Sequence, residues 1–208
     1  MPKVCIINGG GAYAHMFEDM GWEVVHNIEE ANLVQFCGGA DVNPRYYGEV
    51  CHPYTGINPF QDAEELEIFT KCKALGKPMA GICRGGQFLH VMNGGSMWQH
   101  VEHHAIRGTH DACDLDTGII LPVTSTHHQM MRENDAGITV LVGSGVEQGL
   151  KQHMIANGEI EAQLCDVDVE AVYYPDSNCF CFQPHPEMVY AEQCRAYYFN
   201  KLAELLGL

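Results

Sequence analysis

The stretch GICRGGQ, residues 81–87, holds the residue types best suited to covalent chemistry. A short apolar run, Pro78 to Ile82, leads into Cys83, and Gly81, Gly85 and Gly86 crowd it with nothing bulky. Small-x-nucleophile-x-small is the pattern of a nucleophile elbow, a tight strand-to-helix turn that lifts one side chain clear of a sheet. Phe88, Leu89, Val91 and Met92 then predict a helix with an apolar face, so Cys83 stands at a helix N-terminus, where the partial positive charge favours a thiolate. A second stretch, Pro184-His185-Pro186-Glu187, follows a predicted strand, Phe180 to Gln183. Extended backbone before a proline puts His185 and Glu187 on one side, and a carboxylate beside an imidazole makes an oriented general base. A third, Gly38-Gly39, ends the predicted strand Leu33 to Cys37 and can offer backbone N–H groups to a ligand. Each alone also reads blandly, as a buried thiol, a surface turn or an ordinary glycine turn. Together they differ, because ligands of an open parallel sheet bind at the carboxyl ends of its strands. One pocket then gathers a nucleophile, a base with its orienting acid, and donors for an oxyanion.

The elements that must position these residues read as one α/β domain over residues 1–208, an open, mostly parallel sheet flanked by helices. Val4–Ile7 and Glu23–His26 are further strands, with Ala12–Met20 a short helix between them. The turn Asn8-Gly9-Gly10-Gly11 completes neither GxGxxG nor a GK[ST] motif and reads as a tight βα connection. Arg45 to Gln61, with Tyr46, Tyr47, His52 and Tyr54, reads as a long surface loop of the kind that is often functional. Asp62–Leu75 predicts an amphipathic helix with Leu66, Phe69, Cys72 and Leu75 on one stripe. Residues 94–110 are polar and histidine-rich, and strands follow at Ile119–Val123, Thr139–Val142 and Val169–Tyr174 before a closing helix, Ala191–Leu206.

Composition narrows the partners. A formal net charge of -16 argues against nucleic acid and anionic membranes, whose recognition needs clustered Lys and Arg. No apolar run approaches the ~20 residues of a membrane span. The ten cysteines are scattered and MPKVCIING lacks a signal-peptide pattern, so reduced thiols and a cytoplasmic location are expected. His100, His103, His104 and His110 invite a zinc reading, but neither CxxC nor HExxH is present, and no metal is expected.

GGADVNPRYYGE (Gly38–Glu49), GICRGGQ (Gly81–Gln87), STHHQ (Ser125–Gln129) and QPHPE (Gln183–Glu187), in that order, resemble the class I glutamine amidotransferase domains, and within them the gamma-glutamyl-gamma-aminobutyrate hydrolase branch. The resemblance implies a flavodoxin-like fold, with Cys83 as nucleophile, His185 as general base and acid, and Glu187 orienting it. It implies an oxyanion hole from the backbone N–H groups of Gly39 and Arg84. Gly38, Gln87, Thr126, His127 and His128 would line the gamma-glutamyl part of the substrate, with Arg45, Tyr46 and Tyr47 on the loop over the leaving amine. No cofactor is implied. Cys37 stands where the family usually has a proline, Pro184 where it has an aromatic, Gln61 where it has an arginine and Thr124 where it has an asparagine; none of these removes a catalytic group. Two functions fit: a self-contained gamma-glutamyl amide hydrolase, or a glutaminase subunit feeding ammonia to a synthetase or ligase partner. A catalytically silent member of the fold is disfavoured because all three triad residues are present, and a homodimer is also admitted.

Overall fold

The computed structural model describes residues 1–147, 149–165 and 167–208. In chain order they form β1 (Lys3–Ile7), α1 (Gly11–Asp19), β2 (Glu23–Val25), β3 (Leu33–Phe36), a 3-10 turn at Pro44–Tyr47, α2 (Pro59–Leu75), β4 (Met79–Ile82) and α3 (Arg84–Met92). Then come β5 (Met97–Trp98), β6 (His100–Val101), β7 (Ala105–Asp114), β8 (Ile120–Thr126), β9 (Met130–Met131), β10 (Ile138–Ser144), β11 (Leu150–Met154) and β12 (Ile160–Leu164). The chain closes with β13 (Val169–Tyr174), a 3-10 turn, β14 (Cys179–Phe182) and α4 (Glu192–Leu206).

The main sheet runs β2-β1-β3-β4-β14-β13-β10-β7-β8. Pairing is parallel from β2 through β14 and antiparallel from β14 onward. A separate three-stranded sheet runs β12-β11-β6. In the parallel half, side chains alternate between two cores with the period of two that a strand imposes. Val4, Leu33, Ala80, Ile82, Phe180 and Phe182 pack with Phe17 of α1 and Tyr198, Phe199 and Leu202 of α4. Cys5, Val34, Met79, Cys179 and Cys181 pack on the other face with Phe69 and Cys72 of α2 and Phe88 and Leu89 of α3. Helices therefore cover both faces, as parallel strands require.

Register places the functional stretches. Phe36 pairs with Gly81 and Ile82 with Phe182, so β3, β4 and β14 end level with one another. The residues that follow, Cys37-Gly38-Gly39, Cys83 and Gln183-Pro184-His185, must emerge side by side.

Three expectations need correction. The long loop is shorter at both ends: Asn43 accepts from the Arg45 N–H to cap the 3-10 turn, and α2 starts at Pro59 rather than Asp62. Asn58 accepts from the N–H groups of Phe60 and Gln61, and a proline in the first helical position is preorganised for the start, so an N-cap signal outranked the apolar pattern. Leu75 leaves the buried stripe and is 46% exposed, being the last residue before the left-handed Gly76 cap. The histidine-rich run, given no element from sequence, is β5, β6 and the first part of β7. Among the described residues no helix is long and apolar enough to cross a membrane.

Candidate active site

Cys83 sits between β4 and α3 at φ 53°, ψ −117°, a left-handed conformation that a side-chain-bearing residue adopts only when its surroundings enforce it. Its N–H donates to the Phe182 carbonyl at 2.8 Å, pinning the turn to β14. A Cβ on Gly85 would collide with the Phe36 carbonyl, and one on Gly81 with the Gly85 backbone. Glycine at these positions is thus a packing requirement of the elbow. The Arg84 N–H opens α3 and has no partner within that helix, as the first-turn donors of any helix do.

His185 emerges beside this turn. Its Nδ1 lies 2.6 Å from Glu187 Oε1, and its own N–H donates to Thr124 Oγ1 at 2.6 Å, so both the ring and the backbone are fixed. The expected His185–Glu187 pairing is therefore present as geometry. Burial works against a charged ring, but hydrogen bonds to Cys83 and Glu187 and their negative charges outweigh it, pushing His185 up to about 10. A thiol and an imidazolium held beside a carboxylate can together supply a nucleophile, a proton for a leaving group and a base for water.

Gln183 is the residue that sequence reasoning passed over. It ends a predicted strand and opens the QPHPE motif with no role assigned, yet its Nε2 donates to Cys83 Sγ at 3.7 Å and its Oε1 accepts from Gln87 Nε2 at 3.0 Å. Gln87 Nε2 also reaches the Gln129 carbonyl at 3.3 Å, and the Gln87 side chain is buried. The available signal was position: Gln183 follows β14 as Cys83 follows β4.

The diglycine lies across the site from His185; a Cβ on Gly38 would stand 3.5 Å from His185 Cε1. The Gly38 N–H donates to Tyr13 Oη at 3.2 Å, while the Gly39 N–H has no hydrogen-bond partner among the described residues. Beside Gly38 a cleft of about 500 Å³ is lined by Asn8, Asn58, Phe60, Gln61 and Glu64. The Arg84 side chain turns away from the thiol. It donates to the Ala40 carbonyl at 3.1 Å and pairs with buried Asp62 at 2.5 Å and with buried Glu65, tying elbow, diglycine loop and α2 together.

The remaining predicted residues fall into two groups. His128 Nε2 lies 3.2 Å from Asp41 Oδ1, and that hydrogen bond raises the histidine above its ordinary value and links the Ser125–Gln129 segment to the diglycine loop. Thr126 ends β8 half-buried, and His127 is buried with Nδ1 2.9 Å from the Gln129 carbonyl and Nε2 facing Glu170. Arg45 is exposed and donates to Tyr46 Oη at 2.9 Å; Tyr46 and Tyr47 are half-buried against the core that includes Phe88.

The peptidase C26 family model matches residues 6–187. The glutamine amidotransferase-like protein YvdE of Lactococcus lactis is 27% identical over 206 residues, covering 85% of this chain and 79% of its own. The carbamoyl phosphate synthase small chain of Neisseria meningitidis is 28% identical over 138 residues, 65% of this chain and 31% of its own. A crystal structure of a glutamine amidotransferase from Thermotoga maritima superposes with a TM-score of 0.63 at 15% identity, over 98% of this chain and 84% of that one, which supports the fold. A family match that runs from β1 through Glu187, over a sheet whose level strand ends gather the matched motifs, means that this chain belongs to the peptidase C26 family of glutamine amidotransferase-like enzymes.

Proposed function

We propose that the protein hydrolyses a gamma-glutamyl amide bond through a Cys83 thioester, with His185 and Glu187 completing the triad. The observation that carries this reading is the 2.6 Å His185–Glu187 contact beside a cysteine held at positive φ on the elbow. Thiolate attack on the delta carbonyl forms the carbon–sulfur bond and places negative charge on oxygen. The Gly39 and Arg84 backbone N–H groups, neither of which has a partner among the described residues, would donate to that charge, each donor typically contributing about 3 kcal/mol. Collapse of the intermediate breaks the carbon–nitrogen bond as His185 gives its proton to the departing amine. Water deprotonated by the same imidazole then releases glutamate and restores the thiol. Gln183, donating to the sulfur, holds it in the pocket between turnovers. Gln87, Thr126 and His128 would contact the glutamyl end, and the Arg45–Tyr47 turn the amine; His127, with its ring nitrogens on the Gln129 carbonyl and facing Glu170, is turned away from the substrate.

The similarity to a carbamoyl phosphate synthase small chain favours a second reading, in which the same chemistry runs on glutamine and ammonia passes to a synthetase partner. Turnover by the purified protein separates the two. A self-contained hydrolase cleaves several gamma-glutamyl amines at rates comparable with or above that for glutamine. Activity confined to glutamine, or absent until a synthetase is added, would replace the first reading with the second.

A further inference from the structure

Three imidazoles and a carboxylate converge in the antiparallel half of the sheet. His104 precedes β7, His110 lies on it, His127 follows β8 and Glu170 lies on β13. One ligand atom from each of the four lies within 4.8 Å of all the others. His104, His127 and Glu170 are buried, Glu170 completely, and the His110 side chain is 8% exposed.

Outer hydrogen bonds fix which ring atoms point inward. His110 Nδ1 is 2.9 Å from the Asp111 carbonyl and His127 Nδ1 is 2.9 Å from the Gln129 carbonyl. A carbonyl only accepts, so each Nδ1 carries its proton and each Nε2 is the ring atom left to face inward. Those Nε2 atoms face Glu170 Oε1 at 3.2 and 3.8 Å. His104 has Nε2 3.5 Å from Asp168 Oδ2, which leaves its Nδ1 turned to Glu170 Oε1 at 3.9 Å. None of these three inward nitrogens, nor either Glu170 oxygen, has a hydrogen-bond partner among the described residues, although His110 Nε2 stands 3.2 Å from Glu170 Oε1. Buried ring nitrogens and carboxylate oxygens without hydrogen-bond partners are unfavourable, and a cation among them relieves every one at once.

We propose that His104, His110, His127 and Glu170 hold one divalent transition-metal ion of the zinc class in a closed, structural four-ligand site. Three imidazoles and one carboxylate suit zinc, and ligands at ~2.0–2.2 Å in a tetrahedron stand roughly 3.4 Å apart, so closing on the ion requires shifts of about an ångström or less. The outer partners match metal-bound histidine as well, each ring donating its far N–H to a carbonyl or carboxylate. Asp168 is itself held by Lys151 Nζ at 2.5 Å. The sequence singles out His104 and His110 but not the set, because the ligands come from β7, β8, β13 and their ends rather than from one short motif.

The ion would brace the flank of Cys83 without touching reacting atoms. The Glu170 carbonyl accepts the Gln183 N–H at 2.8 Å, and the Gln129 carbonyl that fixes His127 also accepts from Gln87. Gln183 therefore hangs from a proposed ligand's own backbone, and Gln87 from the carbonyl that orients another.

The test is elemental analysis of the protein purified with a histidine-free tag, followed by chelation and cobalt(II) titration. Zinc at about one equivalent per chain is expected, with a visible d–d spectrum of tetrahedral type when cobalt replaces it. Zinc at ~100 times its Kd should raise the melting temperature of the chelated protein by roughly 5–10 °C. Glu170→Gln and His110→Ala should lose the ion, Asp168→Asn should bind it ~10–100-fold more weakly, and His103→Ala, on an exposed neighbour, should keep it. If Glu170→Gln fails to fold, the wild-type cobalt titration still decides. Wild-type protein that arrives without metal and shows neither a cobalt spectrum nor a thermal shift overturns the proposal, as does an ion retained by His110→Ala and Asp168→Asn alike.

Discussion

Glu187→Gln has a signature that a merely structural role would not produce. Glu187 Oε1 lies 2.6 Å from His185 Nδ1, the two side chains being 8% and 16% exposed, and His185 stands at about 10 against 6.5 for an ordinary histidine. A hydrogen bond to a charged group in such a setting contributes about 1.5–3 kcal/mol, which corresponds to about 1–2 pKa units. A neutral glutamine forfeits that term. The imidazolium is the acid for the leaving amine, so the alkaline limb of kcat/KM reports its loss and should move from near 10 in the wild type to about 8–9 in the variant. Turnover at neutral pH should fall about 10–100-fold from the lost bond, and towards ~10⁴-fold if the new amide donates to Nδ1 and holds the wrong tautomer. Stability follows the same sign. A raised histidine contributes fully below its unfolded value and loses that contribution as pH rises through its folded value, so the melting temperatures of wild type and variant should converge between pH 6.5 and about 10. Gamma-glutamyl turnover and thermal melts across that range provide the assay. An alkaline limb and a neutral rate both unchanged in Glu187→Gln would mean that the carboxylate does not support the ring's charge.

Arg84→Met strands two wholly buried carboxylates, Asp62 and Glu65, and should destabilise the fold by about 3–5 kcal/mol in urea titration, with much of the loss recovered by adding Asp62→Asn and Glu65→Gln. A single variant as stable as wild type would mean that one of the carboxylates is protonated or hydrated. Gly85→Ala should yield little folded protein, since its methyl meets the Phe36 carbonyl; a soluble, active variant would contradict the tight elbow. On a panel of gamma-glutamyl amides, Gln87→Ala should impair every substrate alike, whereas a change at Tyr46 or Tyr47 should alter relative kcat/KM by roughly tenfold where a ~1.4 kcal/mol contact is lost. A turn variant that lost the same factor on every amine would remove the turn from specificity.

The parallel half of the fold was legible because buried parallel strands are continuous apolar runs: Val4–Ile7, Leu33–Cys37 and Phe180–Gln183 each fell within a residue or so of the strand found. The placement of the candidate residues Cys83 and His185 was legible for the same reason, since each follows such a run and register brings the run ends together. The antiparallel half was harder. β7 carries His110, Asp111 and Asp114 and is exposed along much of its length, and every residue of β12 is exposed, so neither shows the apolar pattern of a strand. What holds them is pairing with β8, β10 and β11, information that resides in partners distant in sequence. Gln183 and Tyr13 were missed on similar grounds: each acts through a hydrogen bond, to Cys83 Sγ and to the Gly38 N–H, that only the assembled sheet creates. Asp62 reads in the sequence only as the start of a helix, and its role depends on Arg84 folding back onto it.

In the proposed reaction Cys83 carries the glutamyl group. Rapid acid quench of the protein during turnover of a gamma-glutamyl amide, followed by peptide mass spectrometry, tests it directly. A glutamyl mass increment confined to the peptide containing Cys83, present during steady state and absent from Cys83→Ala, is the predicted result. Undiminished turnover by Cys83→Ala, or an adduct on any of the other nine cysteines with activity tracking it, would contradict it.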